Sequence, residues 1–185
     1  MDVDADFQIR FKRYGLCSPS HVHLTYAPRL ASFDYRGYYR YFLTICTFRR
    51  TRVFIEDAVA REVIAQLSQT ASAHQFSVIA YCAMPDHIHA LVAGEHETAD
   101  LREFIRIFKQ RTSFEWKRRS GTCLWQRGYF EHVLRDDEDT IGVARYIIDN
   151  PVRAGLVTDP LDYPYLGSFT TTARELLYSV QIERT

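Results

Sequence analysis

Two histidines and a tyrosine carry most of the chemistry open to this sequence. In the run MPDHIHALV, His87 and His89 stand two residues apart. On a strand, that spacing sends both imidazoles out of one face while Ile88, Ala90 and Val92 enter the other. Converging neutral imidazoles suit zinc, copper, iron or nickel, and they hold manganese or magnesium when oxygen ligands complete the shell. The same pair also serves as ordinary hydrogen-bonding residues at the mouth of a hairpin. Further on, Tyr146 and Asn150 are four residues apart and on a helix share one face. An Asn150 amide oxygen can complete a metal shell and set the Tyr146 hydroxyl beside a bound phosphate. Alternatively, Asn150 only terminates a helix and Tyr146 fills the core.

A second feature is cationic. Residues 101–119 hold Arg102, Arg106, Lys109, Arg111, Lys117, Arg118 and Arg119 against Glu103 and Glu115, although the whole chain has 23 basic and 23 acidic residues and no net charge. Such a stripe is either a solvated helix face or a phosphate-binding surface. The solvated face is the commoner meaning, but Trp116, Trp125, Tyr129 and Phe130 nearby bring the two readings level, since bases stack on aromatic rings while phosphates pair with cations.

These residues need a scaffold. Tyr39 to Phe48 (YRYFLTICTF) is dense in aromatic and β-branched residues and reads as a buried strand. Val59, Val63, Leu67 and Ala71 form the apolar stripe of a helix. Residues 78–83 and 87–92 flank Met84-Pro85-Asp86, a turn, and make a hairpin. A second helix starts near Asp100, with Leu101, Phe104, Ile105 and Phe108 on its apolar face. Leu124 to Leu134 reads as a strand, and a third helix runs from near Glu138 to Asp149 and ends before Pro151. The order β-α-β-β-α-β-α predicts an α+β sandwich, an antiparallel sheet packing helices most economically on one face. Residues 1–35 read as an N-terminal extension, 36–157 as the domain and 158–185 as a C-terminal tail. Cys17, Cys46, Cys82 and Cys123 lie far apart, which fits reduced thiols rather than disulfides or a zinc knuckle. With no run long enough to span a membrane and an acidic start, the expected compartment is the cytoplasm.

His87-Ile88-His89, with the stretches LWQRGYFEHVLRD and ARYIIDNPVRAGLV, resembles the HUH single-tyrosine transposases, and within them the REP-associated tyrosine transposases of bacteria. The resemblance covers roughly Tyr38 to Val157. It implies a ferredoxin-like core, Mg²⁺ or Mn²⁺ at the histidines, and Tyr146 as nucleophile with Asn150 as the polar residue one turn on. Relatives of the insertion-sequence type commonly carry glutamine at the position of Asn150, which reaches further. The activity implied is cleavage and rejoining of single-stranded DNA, with hairpin targets, through a 5′-phosphotyrosine, by a monomer or homodimer. The rival readings are a non-catalytic single-strand-binding domain and a metal hydrolase that uses water. Tyr129 and Tyr163 are the competing nucleophiles, but both lack a polar partner one helical turn onward.

Overall fold

The computed structural model describes residues 33–134 and 140–182. The extension assigned to residues 1–35 therefore lies almost wholly outside the described residues. Strand β1 (Arg40–Cys46) is followed by helix α1 (Asp57–Ala73), the hairpin β2 (Phe76–Met84) and β3 (His87–Gly94), helix α2 (Leu101–Ser120) and β4 (Phe130–Leu134). Helix α3 (Thr140–Ile148), a single turn α4 (Asn150–Arg153), the two-residue strand β5 (Leu166–Gly167) and α5 (Ala173–Ile182) complete the described chain. The sheet order is β4-β1-β3-β2-β5, and every pairing is antiparallel. The first four strands with α1 and α2 make the α+β sandwich that the element order predicts, in the ferredoxin-like form that the family resemblance implies.

The sheet is covered on both faces, where one was expected. Tyr41, Leu43 and Ile45 pair across β1 and β3 with Val92, Ala90 and Ile88, and this face meets α2 through Phe76, which stacks on Phe104 at 5.0 Å between ring centroids. Phe42, Thr44 and Cys46 pair with Leu91, His89 and His87 on the opposite face, where the ring of Phe42 lies 5.8 Å from that of Tyr146 on α3. Both faces of β1 are apolar, so each needs a covering layer. The third helix supplies the second one.

Helix α2 is well bounded. The Asp100 carboxylate accepts from the backbone N–H groups of Arg102 and Glu103, and Gly121, at φ 70°, closes the other end in the left-handed conformation. The expected third-helix stop before Pro151 is corrected. Asp149 keeps a helical backbone and the chain makes one more turn with Pro151 in its first positions, where a missing N–H leaves nothing unpaired. The strand expected over 124–134 forms only from Phe130, with Trp125 bridging to Thr47 beforehand. Beyond residue 157, β5 adds to the β2 edge, and the Tyr163 hydroxyl donates to the Ala83 carbonyl at 2.8 Å. No helix among the described residues is long and apolar enough to cross a membrane.

Candidate active site

The hairpin presents both histidines as the alternation requires. His87 and His89 leave the same face of β3, their Nε2 atoms 3.0 Å apart. Each ring is held from behind. His87 Nδ1 lies 2.6 Å from Asp86 Oδ1, and Asp86 Oδ2 is 2.9 Å from Arg50 Nε. His89 Nδ1 lies 2.9 Å from Thr44 Oγ1, on the neighbouring strand. A carboxylate at Nδ1 assigns the His87 proton there and leaves Nε2 with a lone pair facing its neighbour. Burial pushes both imidazoles below the usual histidine range. For His89 the effect is large, and His87, Arg153 and Arg50 add to it. Asp86 sits below the usual carboxylate range, because His87 and Arg50 outweigh its burial.

Two neutral imidazole nitrogens at that separation fit a divalent ion. Metal–nitrogen bonds of about 2.1 Å at a right angle place their nitrogens about 3.0 Å apart. The expected third ligand, Asn150, has other partners here. Asn150 Nδ2 donates to the Tyr146 carbonyl at 2.8 Å, satisfying an acceptor at the end of α3, and Asn150 Oδ1 accepts from Arg153 at 3.1 Å. Its amide is thus engaged within the turn, and to serve as a metal ligand Oδ1 would exchange or share its Arg153 hydrogen bond. Among the described residues, no group of three His, Cys, Asp or Glu side chains is arranged to hold a metal.

Tyr146 is 4% exposed and packs edge-on against His89, the two ring centres 5.9 Å apart. The guanidinium of Arg153, an exposed residue, lies 4.1 Å from the centre of the tyrosine ring. Tyr129 lies on the approach to β4 and Tyr163 is committed to the Ala83 carbonyl, and neither has a ring contact with the histidines.

The basic helix is elsewhere. Helix α2 packs on the opposite sheet face, so its stripe does not border the histidines. Lys109, expected to contact phosphate, donates to the carbonyls of Gln126 at 2.9 Å and Gly128 at 2.7 Å and pins the loop before β4. Arg106 pairs with Glu103, Arg118 with Glu115 and Arg119 with Glu62, while Arg102 lies over the Tyr35 ring at 4.5 Å. Arg111 and Lys117 are exposed.

Asp86, Thr44, Arg50 and Arg153 escaped the sequence reading. Asp86 adjoins His87 and Arg153 lies seven residues, two helical turns, after Tyr146, so both left a signal. Thr44 and Arg50 left none, since strand pairing and a loop bring them in.

A ferredoxin-like sheet with paired histidines on one face and a tyrosine packed against one of them defines a tyrosine-transposase domain. The family model described as "Transposase IS200 like" matches residues 36–150. A Haemophilus influenzae protein assigned as a REP-associated tyrosine transposase is 33% identical over 153 residues, covering 75% of this chain and 84% of that one. The REP-associated tyrosine transposase of Escherichia coli is 26% identical over 101 residues, covering 55% and 59%. The solved structure of a REP-associated tyrosine transposase bound to a REP hairpin superposes with a TM-score of 0.58 at 23% identity, over 72% of this chain and 81% of that one, and shares the fold. The chain belongs to the IS200-like transposase family.

Proposed function

We propose that the protein cleaves and rejoins single-stranded DNA, with hairpin-bearing strands as its targets, through a covalent link to Tyr146. The observation that carries this reading is the contact of the Tyr146 ring with His89, whose Nε2 converges with that of His87 at 3.0 Å. A Mg²⁺ or Mn²⁺ ion held by His87 and His89 would supply Lewis-acid charge neutralisation on the non-bridging oxygens of the scissile phosphate. Asp86 and Thr44 keep the two rings aimed, and burial keeps them neutral. Arg153 puts a permanent positive charge against the phenol, where it favours phenolate and draws the phosphate in.

In the step itself, Tyr146 Oη forms a bond to phosphorus as the bond from phosphorus to the 3′ oxygen breaks. The phenolic proton is lost to solvent, and the departing 3′ oxygen takes one up. The products are a 5′-phosphotyrosine and a free 3′ hydroxyl. One phosphodiester replaces another, so attack by a second 3′ hydroxyl reverses the step without a nucleotide cofactor. The relative's hairpin-bound structure supports a folded, partly single-stranded substrate.

The test is incubation with labelled hairpin DNA and Mn²⁺, followed by denaturing electrophoresis and peptide mass spectrometry. A covalent adduct on the peptide holding Tyr146 is expected, abolished by Tyr146→Phe and by His87→Ala with His89→Ala. An oligonucleotide mass on a peptide holding Tyr129 or Tyr163 would refute the assignment.

A further inference from the structure

The histidine-bearing hairpin has a cation-and-aromatic loop beside it that is not part of α2. Strand β1 ends at Cys46, the cross-strand partner of His87, and Phe48, Arg49, Arg50 and Arg52 follow at once. Phe48 is 39% exposed, and the Arg49 guanidinium lies 5.1 Å from its ring centre. Arg49 and Arg50 occupy the left-handed region at φ 55° and 56°, which non-glycine residues enter only when the surroundings enforce it, most often at functional sites. The surroundings here do enforce it. Thr47 Oγ1 donates to the carbonyls of Thr51 at 2.7 Å and Asp86 at 2.9 Å, and the Phe48 N–H donates to the Leu124 carbonyl at 2.8 Å. Arg50 is spent on Asp86, the carboxylate that holds His87. The loop is thereby fixed to the turn that carries the histidine pair.

Position, more than charge, separates this loop from α2, which packs on the sheet face away from the histidines. Three of the helix's five arginines are in ion pairs and Lys109 is bound to carbonyls, while Arg111 and Lys117 are exposed on that distant face. Arg49 and Arg52 are exposed and make no ion pair among the described residues. An exposed ring with unneutralised cations in the same loop is what an unpaired nucleotide needs, since any base stacks on a ring and its phosphates follow the charge.

We propose that the loop from Thr47 to Arg52, and not α2, seats the unpaired DNA strand next to the scissile phosphate, with Phe48 stacking one base and Arg49 and Arg52 contacting phosphates. The proposal rests on the reading of single-strand cleavage at Tyr146. Because stacking accepts every base, the loop contributes affinity and position and little sequence preference.

The experiment measures metal-free binding of a single-stranded oligonucleotide carrying 2-aminopurine, by anisotropy and by quenching, across a salt series. Phe48→Ala should weaken binding about tenfold, equivalent to about 1.4 kcal/mol, and relieve the quenching, and Phe48→Trp should restore both. Arg49→Asn with Arg52→Gln should lower the slope of log K against log salt by about 1.4, near 0.7 per lost contact. Arg102→Gln with Arg106→Gln should leave the slope unchanged. Asparagine tolerates the left-handed backbone at position 49, and unchanged melting temperatures exclude misfolding. Wild-type binding and quenching in Phe48→Ala, with the Tyr146 adduct still formed by the parent protein, would overturn the loop assignment and leave the cleavage reading intact. Loss of binding in Phe48→Ala with no adduct in the parent would uphold the surface and remove the cleavage reading.

Discussion

The Asp86→Asn substitution probes the back of the candidate metal site without touching a ligand. Asp86 serves two donors at once, His87 Nδ1 at 2.6 Å and Arg50 Nε at 2.9 Å, with its side chain 22% exposed. Asparagine keeps the shape but has one acceptor. If its oxygen stays on His87, its amide hydrogens face the Arg50 donor, and if it flips, His87 loses its partner. Removing the charge also makes the His87 ring a poorer base. Losses of this kind behind a ligating histidine cost about 10–100-fold in metal affinity, or about 1.4–2.7 kcal/mol. The assay is Mn²⁺ binding followed by the paramagnetic signal of the free ion, paired with the Mn²⁺ concentration giving half-maximal adduct. Both should shift by the same factor, with maximal adduct at saturating Mn²⁺ largely recovered. Mn²⁺ affinity within twofold of the parent would refute the reasoning that Asp86 orients His87 toward a metal.

Lys109→Met should lower stability by about 2–4 kcal/mol, because a charged donor leaves two partly buried carbonyls behind; circular dichroism should show melting about 5–15 °C lower, whereas a small shift with weakened DNA binding would return Lys109 to the phosphate-contact role. Gly94→Ala should prove more damaging than a glycine-to-alanine change normally is, since a Cβ there would lie 2.0 Å from the Gly37 carbonyl oxygen, and poor soluble yield or early urea unfolding is the readout. Stability should also fall as pH drops through about 6.5. Both site histidines titrate lower in the folded chain than in the unfolded one, so between those values the unfolded state binds more protons and acid favours it. Urea midpoints in metal-free buffer should rise from pH 5 to pH 7 and flatten above it, and His89→Gln should reduce that rise.

The sequence alone determined whatever depends on local period. Two-residue alternation in HIHALV put His87 and His89 on one face, with Ile88, Ala90 and Val92 on the other, because strand geometry leaves no other choice. The four-residue rhythm of Val59, Val63, Leu67 and Ala71 and the apolar face of Leu101, Phe104, Ile105 and Phe108 located α1 and α2 in the same way. The element order was enough for an α+β sandwich, since antiparallel hairpins and short crossovers admit few arrangements, and the family resemblance supplied its ferredoxin-like form. Only the tertiary structure decided which layer each face receives. The covering helix is chosen by packing across the whole sheet, so nothing in the α2 sequence reveals that its arginines lie away from the histidines. Lys109 reads as surface charge until the chain returns, 17 and 19 residues later, with two carbonyls in need of a donor. Asn150 sits at the expected spacing from Tyr146, yet the nearest acceptor and donor, the Tyr146 carbonyl and Arg153, claim its amide first. Thr44 reaches His89 through strand register and Arg50 reaches Asp86 through a left-handed loop. Both are long-range consequences of folding, so the support of the site was hidden where its principal groups were plain.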